Sequence, residues 1–266
     1  MIRIAELFVR GINRVRRALY RAGILKPKRL RVPVISVGAI AAGGSGKTPA
    51  TIAIAGALAA RGLRVGVLTR GYGRAGVGGV IGELDAGRYG DEPVLIKKRL
   101  PQVEVIVGKN RYENALRNEA DVFVLDDGFQ HLQLHRDLDV VIDHPAAFFR
   151  EGRAALRDAD VVIPRKIRLN VPESLRGKRV FAFAGLADND QFFRSLGLQL
   201  AGTRSFPDHH RYSAADIATI KRDAANAHAI VTTEKDAVKI ADRDIIAIPI
   251  EFVIDDLTPI LAAVRR

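Results

Sequence analysis

Residues 39–59 read AIAAGGSGKTPATIAIAGALA, and this stretch decides the fold. The run before it, RVPVISVGAI, is apolar enough for a buried strand, and the residues from Thr48 onward have the composition of a helix. A glycine turn between a strand and a helix lets backbone N–H groups converge on phosphate oxygens, and the helix N-terminus adds its positive dipole. The stretch therefore predicts a P-loop, and with it the binding of a nucleotide.

The individual residues of the turn fit this chemistry. Lys47 would reach the outer phosphates of a nucleotide, and the Thr48 hydroxyl would bind Mg²⁺. The strict P-loop pattern has a glycine where this chain has Ala41, but GGSGKT is intact. A glycine-rich turn with an incidental lysine is the alternative, and the flanking strand and helix argue against it. The predicted nucleotide ligands in the loop are Gly43, Gly44, Ser45, Gly46, Lys47 and Thr48.

Strand and helix patterns alternate from residue 31 to about residue 166. This alternation predicts a parallel sheet with helices on both faces. Residues 164–179 are polar and interrupted by prolines, which is typical of a linker, and a second α/β pattern follows them. The predicted fold is therefore α/β, with a P-loop NTPase-like parallel-sheet domain (31–166), a smaller C-terminal α/β domain (167–266) and an N-terminal amphipathic helix (1–30).

The amino-acid composition of the chain excludes several classes of function. The chain has no cysteine, which excludes disulfides, zinc–thiolate sites and thiol catalysis. Its net charge of +12 requires an anionic partner such as nucleic acid, a membrane surface or a phosphorylated substrate. With no Trp and no recognisable binding module, no nucleic-acid partner is predicted. Because no stretch is apolar enough for a membrane span or a signal peptide, we expect a chain that is neither exported nor transmembrane.

The first 23 residues, MIRIAELFVRGINRVRRALYRAG, have helical periodicity and end on a glycine that can stop a helix. Apolar residues share one face, and arginines lie on roughly the opposite face. Such a helix either lies in a membrane interface or packs on its own domain with a solvated basic side. The apolar set is Ile4, Phe8, Ile12, Val15 and Leu19, and the basic set is Arg3, Arg10, Arg14, Arg17 and Arg21.

Pairs of acidic residues lie at the end of one predicted strand and at the start of one predicted helix. In VFVLDDG, Asp126 and Asp127 come directly after an apolar strand, where P-loop enzymes place acids that hold magnesium, although a solvated turn is the alternative. In GDEP, Asp91 and Glu92 would by themselves only start a helix, but a phosphoryl transfer to an alcohol needs such a proton acceptor. The predicted magnesium ligands are Thr48, Glu92, Asp126 and Asp127.

A histidine pair and several arginines are further candidates. SFPDHHRY places His209 and His210 after Asp208, which suits acid–base chemistry, although tandem histidines in a loop are most often a surface feature. Arginines at strand ends and in turns could contact phosphate with two hydrogen bonds, and a solvated surface charge is the alternative for each. These arginines are Arg70, Arg74 and Arg111.

Several segments, in order between residues 30 and 240, resemble the tetraacyldisaccharide 4'-kinases of lipid A biosynthesis. The most specific is DDGFQH followed by RDLD, and the others include GGSGKTP, RGYGR, GDEP, NRY, SFPDHHRYS and TTEKDAVKI. The resemblance implies a peripheral kinase on the cytoplasmic face of the inner membrane. Such a kinase moves the γ-phosphate of ATP, with Mg²⁺, to the 4'-hydroxyl of a lipid A disaccharide precursor. The resemblance also accounts for Ala41, because the family similarly lacks that glycine.

The resemblance also implies roles for individual residues. Asp91 matches the family's general base, and His209 matches the histidine that assists it. Asp126 and Asp127 would hold magnesium and orient the reactants, and Arg111 would contact a phosphate or the transition state. An acceptor embedded in a bilayer gives the basic N-terminal helix a purpose, which is to bind the anionic surface of the inner membrane.

Two features leave alternatives open. Residues 148–163 read FFREGRAALRDADVVI, which is shorter than the family's segment and lacks its LREP piece, so the sequence does not decide whether Arg150 or Arg153 replaces the family's arginine. TTEKD also resembles the guanine-reading motif of P-loop GTPases, with the lysine displaced by one residue. A GTPase or metallochaperone that switches on hydrolysis is therefore the main alternative function, and a non-catalytic nucleotide-binding protein is the second.

Overall fold

The computed structural model of the protein describes residues 2–71, 78–146 and 148–264, so that Arg74 lies outside the described residues. The first part of the chain consists of an N-terminal helix followed by alternating strands and helices. In chain order these are α1 (Ile2–Arg21), β1 (Val34–Ala39), α2 (Lys47–Ala59), β2 (Val65–Thr69), β3 (Gly79–Val80), α3 (Ala86–Tyr89), α4 (Asp91–Arg99), β4 (Glu104–Val107), α5 (Arg111–Leu116), β5 (Val122–Asp126), β6 (Leu138–Asp143) and β7 (Val161–Pro164).

The second part begins after a short 3₁₀ turn at residues 153–158 and the last strand of the first part. Its elements are β8 (Ile167–Leu169), β9 (Arg179–Ala184), α6 (Asn189–Ser195), β10 (Gln199–Ser205), α7 (Ala214–Asp223), β11 (Ala229–Thr233), α8 (Glu234–Ala237), β12 (Ile245–Ile248), β13 (Ile250–Phe252) and α9 (Thr258–Ala262).

Within the described residues, seven strands form one sheet in the order β3-β4-β2-β5-β1-β6-β7. All neighbouring pairs are parallel except β3 with β4, and every residue of β1, β2 and β5 is buried. Since β5 lies directly beside β1, with Asp126 opposite Val37, the end of β5 comes next to the loop that follows β1. This is the parallel arrangement of a P-loop fold, and it confirms the predicted fold class.

A second sheet holds four parallel strands in the order β10-β9-β11-β12 and has its own apolar cores. The chain then returns to the core of the first sheet, because Phe252 and Ile260 join the apolar residues around β1 and α2. Strand β13 pairs antiparallel with β8 in a separate two-stranded sheet. The domain bounds predicted at residues 30 and 166 stay predictions. The returning segment is nonetheless important for the site, because it places Phe252 against the P-loop.

The N-terminal helix α1 docks through its arginine side, not through its apolar side. The Arg17 side chain is buried, donates to Glu151 at 2.8 Å and to Asp158 at 3.0 Å, and lies 4.0 Å from the centre of the Phe129 ring. The opposite side exposes large apolar residues, which are Leu7, Phe8, Ile12 and Val15. The helix therefore packs on its own domain, as one of the two alternatives predicts, but it does so through the buried Arg17 of its basic side, while Arg14 and Arg21 of that side are exposed. None of the helices in the described ranges has the length and hydropathy of a membrane span.

Candidate active site

The P-loop runs from the end of β1 to the start of α2 at Lys47. Gly46 has a left-handed backbone with φ of 77°, and a Cβ at this position would lie 3.2 Å from the Phe252 ring. Both facts require glycine, since L side chains rarely adopt this conformation and the ring leaves no room. The Thr48 side chain is buried, as a residue that faces a bound phosphate and its ion should be.

Asp126 ends β5 as a buried carboxylate whose two oxygens are both hydrogen-bonded. Its Oδ1 accepts from Thr51 at 3.0 Å, and its Oδ2 accepts from Thr69 at 3.1 Å. Burial, followed by the charges of Glu92 and Asp127, raises the pKa of Asp126 to about 6. A buried acid beside two other acids, held only by neutral hydroxyls, is an environment that a cation would stabilise.

Asp127 is the next residue, and two cations hold it in an unusual backbone conformation. Its φ is 49°, which is rare for a residue with a side chain. Arg150 donates to both carboxylate oxygens, at 2.8 and 2.6 Å, and the Lys47 ammonium lies 3.8 Å from Oδ1. Burial would raise the pKa of Asp127, but Lys47 and Arg150 outweigh it and hold that pKa well below its usual range.

Of the two candidate arginines in the shortened segment, Arg150 is the one that lies at the site. Its guanidinium is inside the site on Asp127 and lines the same cleft as the P-loop, whereas Arg153 pairs with Asp143 and its side chain is 70% exposed. Glu151, the next residue, is buried against Arg17 of the N-terminal helix. Arg150 therefore contributes a positive charge to the site, and Glu151 anchors α1, although the LREP segment is absent.

We expect Arg150→Met to lower kcat about tenfold to a hundredfold, because a bidentate charge-assisted contact next to the P-loop is lost. Arg153→Met is the matched control, since it removes an arginine three residues further along at the surface. Steady-state turnover of both variants with ATP checks this expectation. Equal rates for the two variants would contradict the assignment of Arg150 to the site.

Asp91 and His209 form a hydrogen-bonded pair contributed by the two parts of the chain. Asp91 is the first residue of α4, and its Oδ2 lies 2.9 Å from His209 Nδ1. The Asp91 side chain is 4% exposed and that of His209 is 27% exposed, so the histidine is the more accessible member of the pair. Burial would raise the pKa of Asp91, but the His209 hydrogen bond, Lys235 and Lys239 hold it below its ordinary value.

We expect Asp91→Asn to lower the pKa of His209. In the native chain the hydrogen bond to Asp91 raises that pKa, while burial and Lys235 oppose the rise, so removing the carboxylate leaves the lowering contributions. Because the folded-state pKa of His209 is raised and that of Asp91 is lowered, the pair stabilises the fold fully between pH about 4 and about 6.5. The stabilisation decreases as the pH rises through the folded-state pKa of His209 or falls through that of Asp91. NMR titration of the His209 ring in both proteins checks this, and a pKa that stays unchanged or rises would contradict it.

The predicted site residues meet in one cleft of about 820 Å³ between the two sheets. The cleft is lined by all the predicted P-loop ligands and by Arg70, Glu92, Arg111, Asp126, Asp127 and His209. Asp91 does not itself line the cleft, but it is hydrogen-bonded to His209, which does. Arg111 is 6% exposed, lines the cleft and donates to the Asp126 carbonyl at 3.3 Å, so it also holds the end of β5. His210 bonds Asp216 and stacks on Phe206, consistent with a structural role.

Sequence reasoning did not assign several residues that shape this site. Thr51 lies one helical turn after Lys47, and Thr69 ends β2. The sequence gives no reason to assign a role to either threonine, apart from its position near the predicted P-loop or at the end of a predicted strand. Lys235 lies in TTEKD, a segment that carries part of the family resemblance and also resembles a guanine-reading motif, but the sequence assigns no role to the lysine. The structure contradicts that similarity, because Asp236 is fully buried and accepts from the Gly185 N–H at 3.0 Å.

Comparisons with known proteins agree with one another. The family model described as Tetraacyldisaccharide-1-P 4'-kinase matches residues 1–174 and 159–265. The Tetraacyldisaccharide 4'-kinase of Anaeromyxobacter sp. (strain Fw109-5) is 41% identical over 90% of this chain and 81% of its own. That of Pelobacter propionicus is 37% identical over 96% and 88%. The crystal structure of "apo" form LpxK from Aquifex aeolicus in complex with ATP is similar with a TM-score of 0.79 and 28% identity, covering 99% of this chain and 97% of that one.

Proposed function

The chain belongs to the tetraacyldisaccharide 4'-kinase family, and from this premise we propose that it transfers the γ-phosphate of ATP to the 4'-hydroxyl of a tetraacyldisaccharide 1-phosphate in lipid A biosynthesis. The observation that carries this proposal is the cleft itself. It is lined by the P-loop with Lys47 and by His209, whose Nδ1 lies 2.9 Å from the more deeply buried Asp91. A nucleotide site and a proton acceptor that face one cleft fit phosphoryl transfer to an alcohol better than a hydrolytic switch.

The cations of the site would neutralise the charge that spreads over the transferring phosphoryl group. Lys47 and Arg150 already meet at Asp127, so both are oriented toward the same part of the cleft. Such fixed donors contribute more in a partly enclosed cleft than they would in water. Arg111, buried at the end of β5, adds a third positive charge close to the two aspartates.

The donor set fits a magnesium ion. Asp126 is a buried acid that a cation would stabilise, and Thr48 offers a hydroxyl at the start of α2. In the described part of the chain no three acidic or histidine side chains form a metal site by themselves. Mg²⁺ commonly keeps several waters and phosphate oxygens among its ligands. Bound there by Thr48, Asp126, Asp127 and Glu92, Mg²⁺ would neutralise phosphate charge.

Asp91 is proposed as the general base and His209 as its orienting partner. His209 has its Nδ1 2.9 Å from Asp91 Oδ2 and its Nε2 3.4 Å from the Lys235 ammonium. The Asp91 carboxylate is the anionic member of the pair, and it is proposed to accept the proton of the sugar hydroxyl. Its lowered pKa keeps Asp91 ionised at neutral pH, the state that a base requires.

The acceptor is a lipid, and α1 is proposed to hold the enzyme on the cytoplasmic face of the inner membrane. The exposed apolar stripe of α1, formed by Leu7, Phe8, Ile12 and Val15, points away from the protein. A groove of about 580 Å³ beside the helix is lined by arginines, among them Arg10, Arg14 and Arg21. Apolar side chains flanked by arginines suit a surface of anionic lipids.

We expect Phe8→Ser with Val15→Ser to weaken binding to vesicles that contain anionic phospholipid by tenfold or more, since burying one such side chain is worth about 1.5–3 kcal/mol. Co-sedimentation with vesicles measures the effect. Leu116→Ser, which removes an equally exposed leucine from α5, is the control and should bind like the native chain. A double variant that binds as tightly as this control would exclude the stripe from membrane binding.

A transfer assay tests the proposed reaction. The protein is incubated with γ-labelled ATP, magnesium and tetraacyldisaccharide 1-phosphate in detergent, and with γ-labelled GTP in parallel. We expect label on the lipid with ATP and little with GTP. Label released only as inorganic phosphate, independent of lipid, would reject the kinase and favour a switch NTPase.

A further inference from the structure

The N-terminal helix reaches the active site through two side chains on one of its faces. Asn13 and Arg17 lie four residues apart on α1, so their side chains are neighbours along the helix. Asn13 donates its Nδ2 hydrogen to the Arg150 carbonyl at 2.9 Å, and Arg17 donates to the Glu151 carboxylate at 2.8 Å. The helix that carries the exposed apolar stripe therefore also holds the segment that brings Arg150 to Asp127.

This segment lies between α1 and the start of the P-loop. The Arg150 N–H donates to the Ile40 carbonyl at 2.8 Å, and the Phe148 carbonyl accepts the Ala42 N–H at 3.0 Å, directly before the glycines of the loop. The Arg150 carbonyl accepts from Asn13. The two peptide groups that flank the Arg150 side chain are therefore both held, one by the chain that enters the P-loop and the other by α1.

Glu151 adds a buried polar network to this attachment. It is 3% exposed, and its carboxylate accepts from Arg17 and from Gln130 Nε2 at 2.8 Å each. The same Gln130 nitrogen donates to the Ala39 carbonyl at the end of β1 at 3.0 Å. A network of this kind favours one arrangement, because any other arrangement leaves a buried charge without its partner.

The same arginine also holds the turn that contains Asp127. The Arg17 Nη2 donates to the Phe129 carbonyl at 3.1 Å, two residues after Asp127, whose φ of 49° costs free energy. Phe129 is fully buried against β1, where a Cβ added to Gly38 would lie 2.5 Å from the Phe129 Cβ. Contacts from α1 thus reach both sides of the ion pair between Arg150 and Asp127.

We infer that Asn13 and Arg17 are positioning residues, which hold the Arg150 guanidinium on Asp127 beside the P-loop. This role rests on the proposed function, in which Arg150 neutralises charge on the transferring phosphoryl group. It makes α1 a part of the active-site structure as well as a membrane-facing surface. A helix that only anchored the enzyme would be dispensable with the acceptor in detergent, whereas a positioning helix is needed in detergent and on vesicles alike.

Asn13→Leu tests the inference, because it removes the bond to Arg150 and leaves the ion pairs of Arg17 that dock the helix. Asn118→Leu is the matched control, since it removes an amide bond of 2.7 Å to the Asn114 carbonyl, after the end of α5. With the acceptor in detergent, we expect Asn13→Leu to lower kcat about threefold to tenfold, the equivalent of one neutral hydrogen bond, with the KM for ATP unchanged. The control should keep the native rate.

A double-mutant cycle shows whether the effect passes through Arg150. Adding Asn13→Leu to Arg150→Met should cause no further loss of kcat. Arg17→Lys keeps the charge but loses the planar fork, so it should lower kcat more than Asn13→Leu does. Thermal unfolding of each variant verifies that it is folded. A native rate in either single variant, additive losses in the cycle, or a loss seen only with the acceptor in vesicles would overturn the positioning role.

Guanidinium nitrogen NMR of the full chain gives a readout that does not depend on kinase activity. In the native protein the two hydrogen bonds to Asp127 should slow the rotation of the Arg150 guanidinium and separate its Nη signals, which are assigned by their absence from Arg150→Met. In Asn13→Leu we expect faster rotation and merged signals, and unchanged signals would overturn the inference. If the native chain transfers no phosphate to the lipid, the proposed function fails, and the NMR result still decides whether α1 holds Arg150.

Discussion

Replacing Asp91 by asparagine is expected to lower kcat by about 10²–10⁴-fold, the usual contribution of a general base. Asparagine keeps the size of the side chain and can still hydrogen-bond His209, but it cannot accept the hydroxyl proton. Asp91 begins α4 and is fixed by His209 on one oxygen and by the Glu92 N–H on the other, so the geometry of the site should survive the change. The loss should therefore fall on kcat, with ATP binding retained.

Rapid-quench turnover together with ATP titration measures the two quantities separately. Glu119→Gln is the control, because this carboxylate is 89% exposed and pairs only at the surface with Arg64. A kcat within threefold of the native value would reject Asp91 as the base. A loss confined to ATP affinity would mean instead that the residue supports the nucleotide site.

Lys47→Met is expected to produce the second large effect, a loss of about 10²–10³-fold in kcat/KM for ATP. The lysine is the P-loop cation that would contact the outer phosphates in both the bound nucleotide and the transition state, so kcat and KM should both suffer. Asp127 retains Arg150 as a partner after the substitution, which is why we expect the variant to fold.

Kinetics with varied ATP measure this effect, and calorimetry with a non-hydrolysable ATP analogue separates binding from turnover. Lys109→Met is a useful comparison, since this lysine also lines the cleft but lies outside the P-loop. If Lys47→Met and Lys109→Met lost the same modest activity, the GGSGKT turn would not be acting as a phosphate-binding loop.

Much of the fold could be predicted because its signals are local. The strand before GGSGKT, the helix after it and the two aspartates that end VFVLDD each follow from a short run of residues, and the structure places β5 directly beside β1. The return of the chain to the core of the first sheet could not be foreseen. The position of Phe252 against Gly46 depends on the pairing of β13 with β8, which are more than eighty residues apart.

The site shows the same division between local and long-range information. P-loop ligands and the acids of DDG are readable from spacing, whereas the contact between Asp91 and His209 joins residues 118 positions apart. The shortened segment at 148–157 left Arg150 and Arg153 as alternatives, and only the folded chain shows that Arg150 reaches Asp127. The orientation of α1 also needed the structure, since a buried arginine paired with Glu151 reverses the side on which an amphipathic helix is expected to dock.

The measurement that tests the account most directly is the structure of the product. The native chain is incubated with ATP, magnesium and tetraacyldisaccharide 1-phosphate, and the extracted lipid is examined by phosphorus–proton correlation NMR. The account predicts a new phosphomonoester coupled to the proton at position 4' of the disaccharide, in addition to the phosphate already at position 1. A lipid that keeps only its original phosphate while ATP is consumed, or a new phosphate at another hydroxyl, would contradict it.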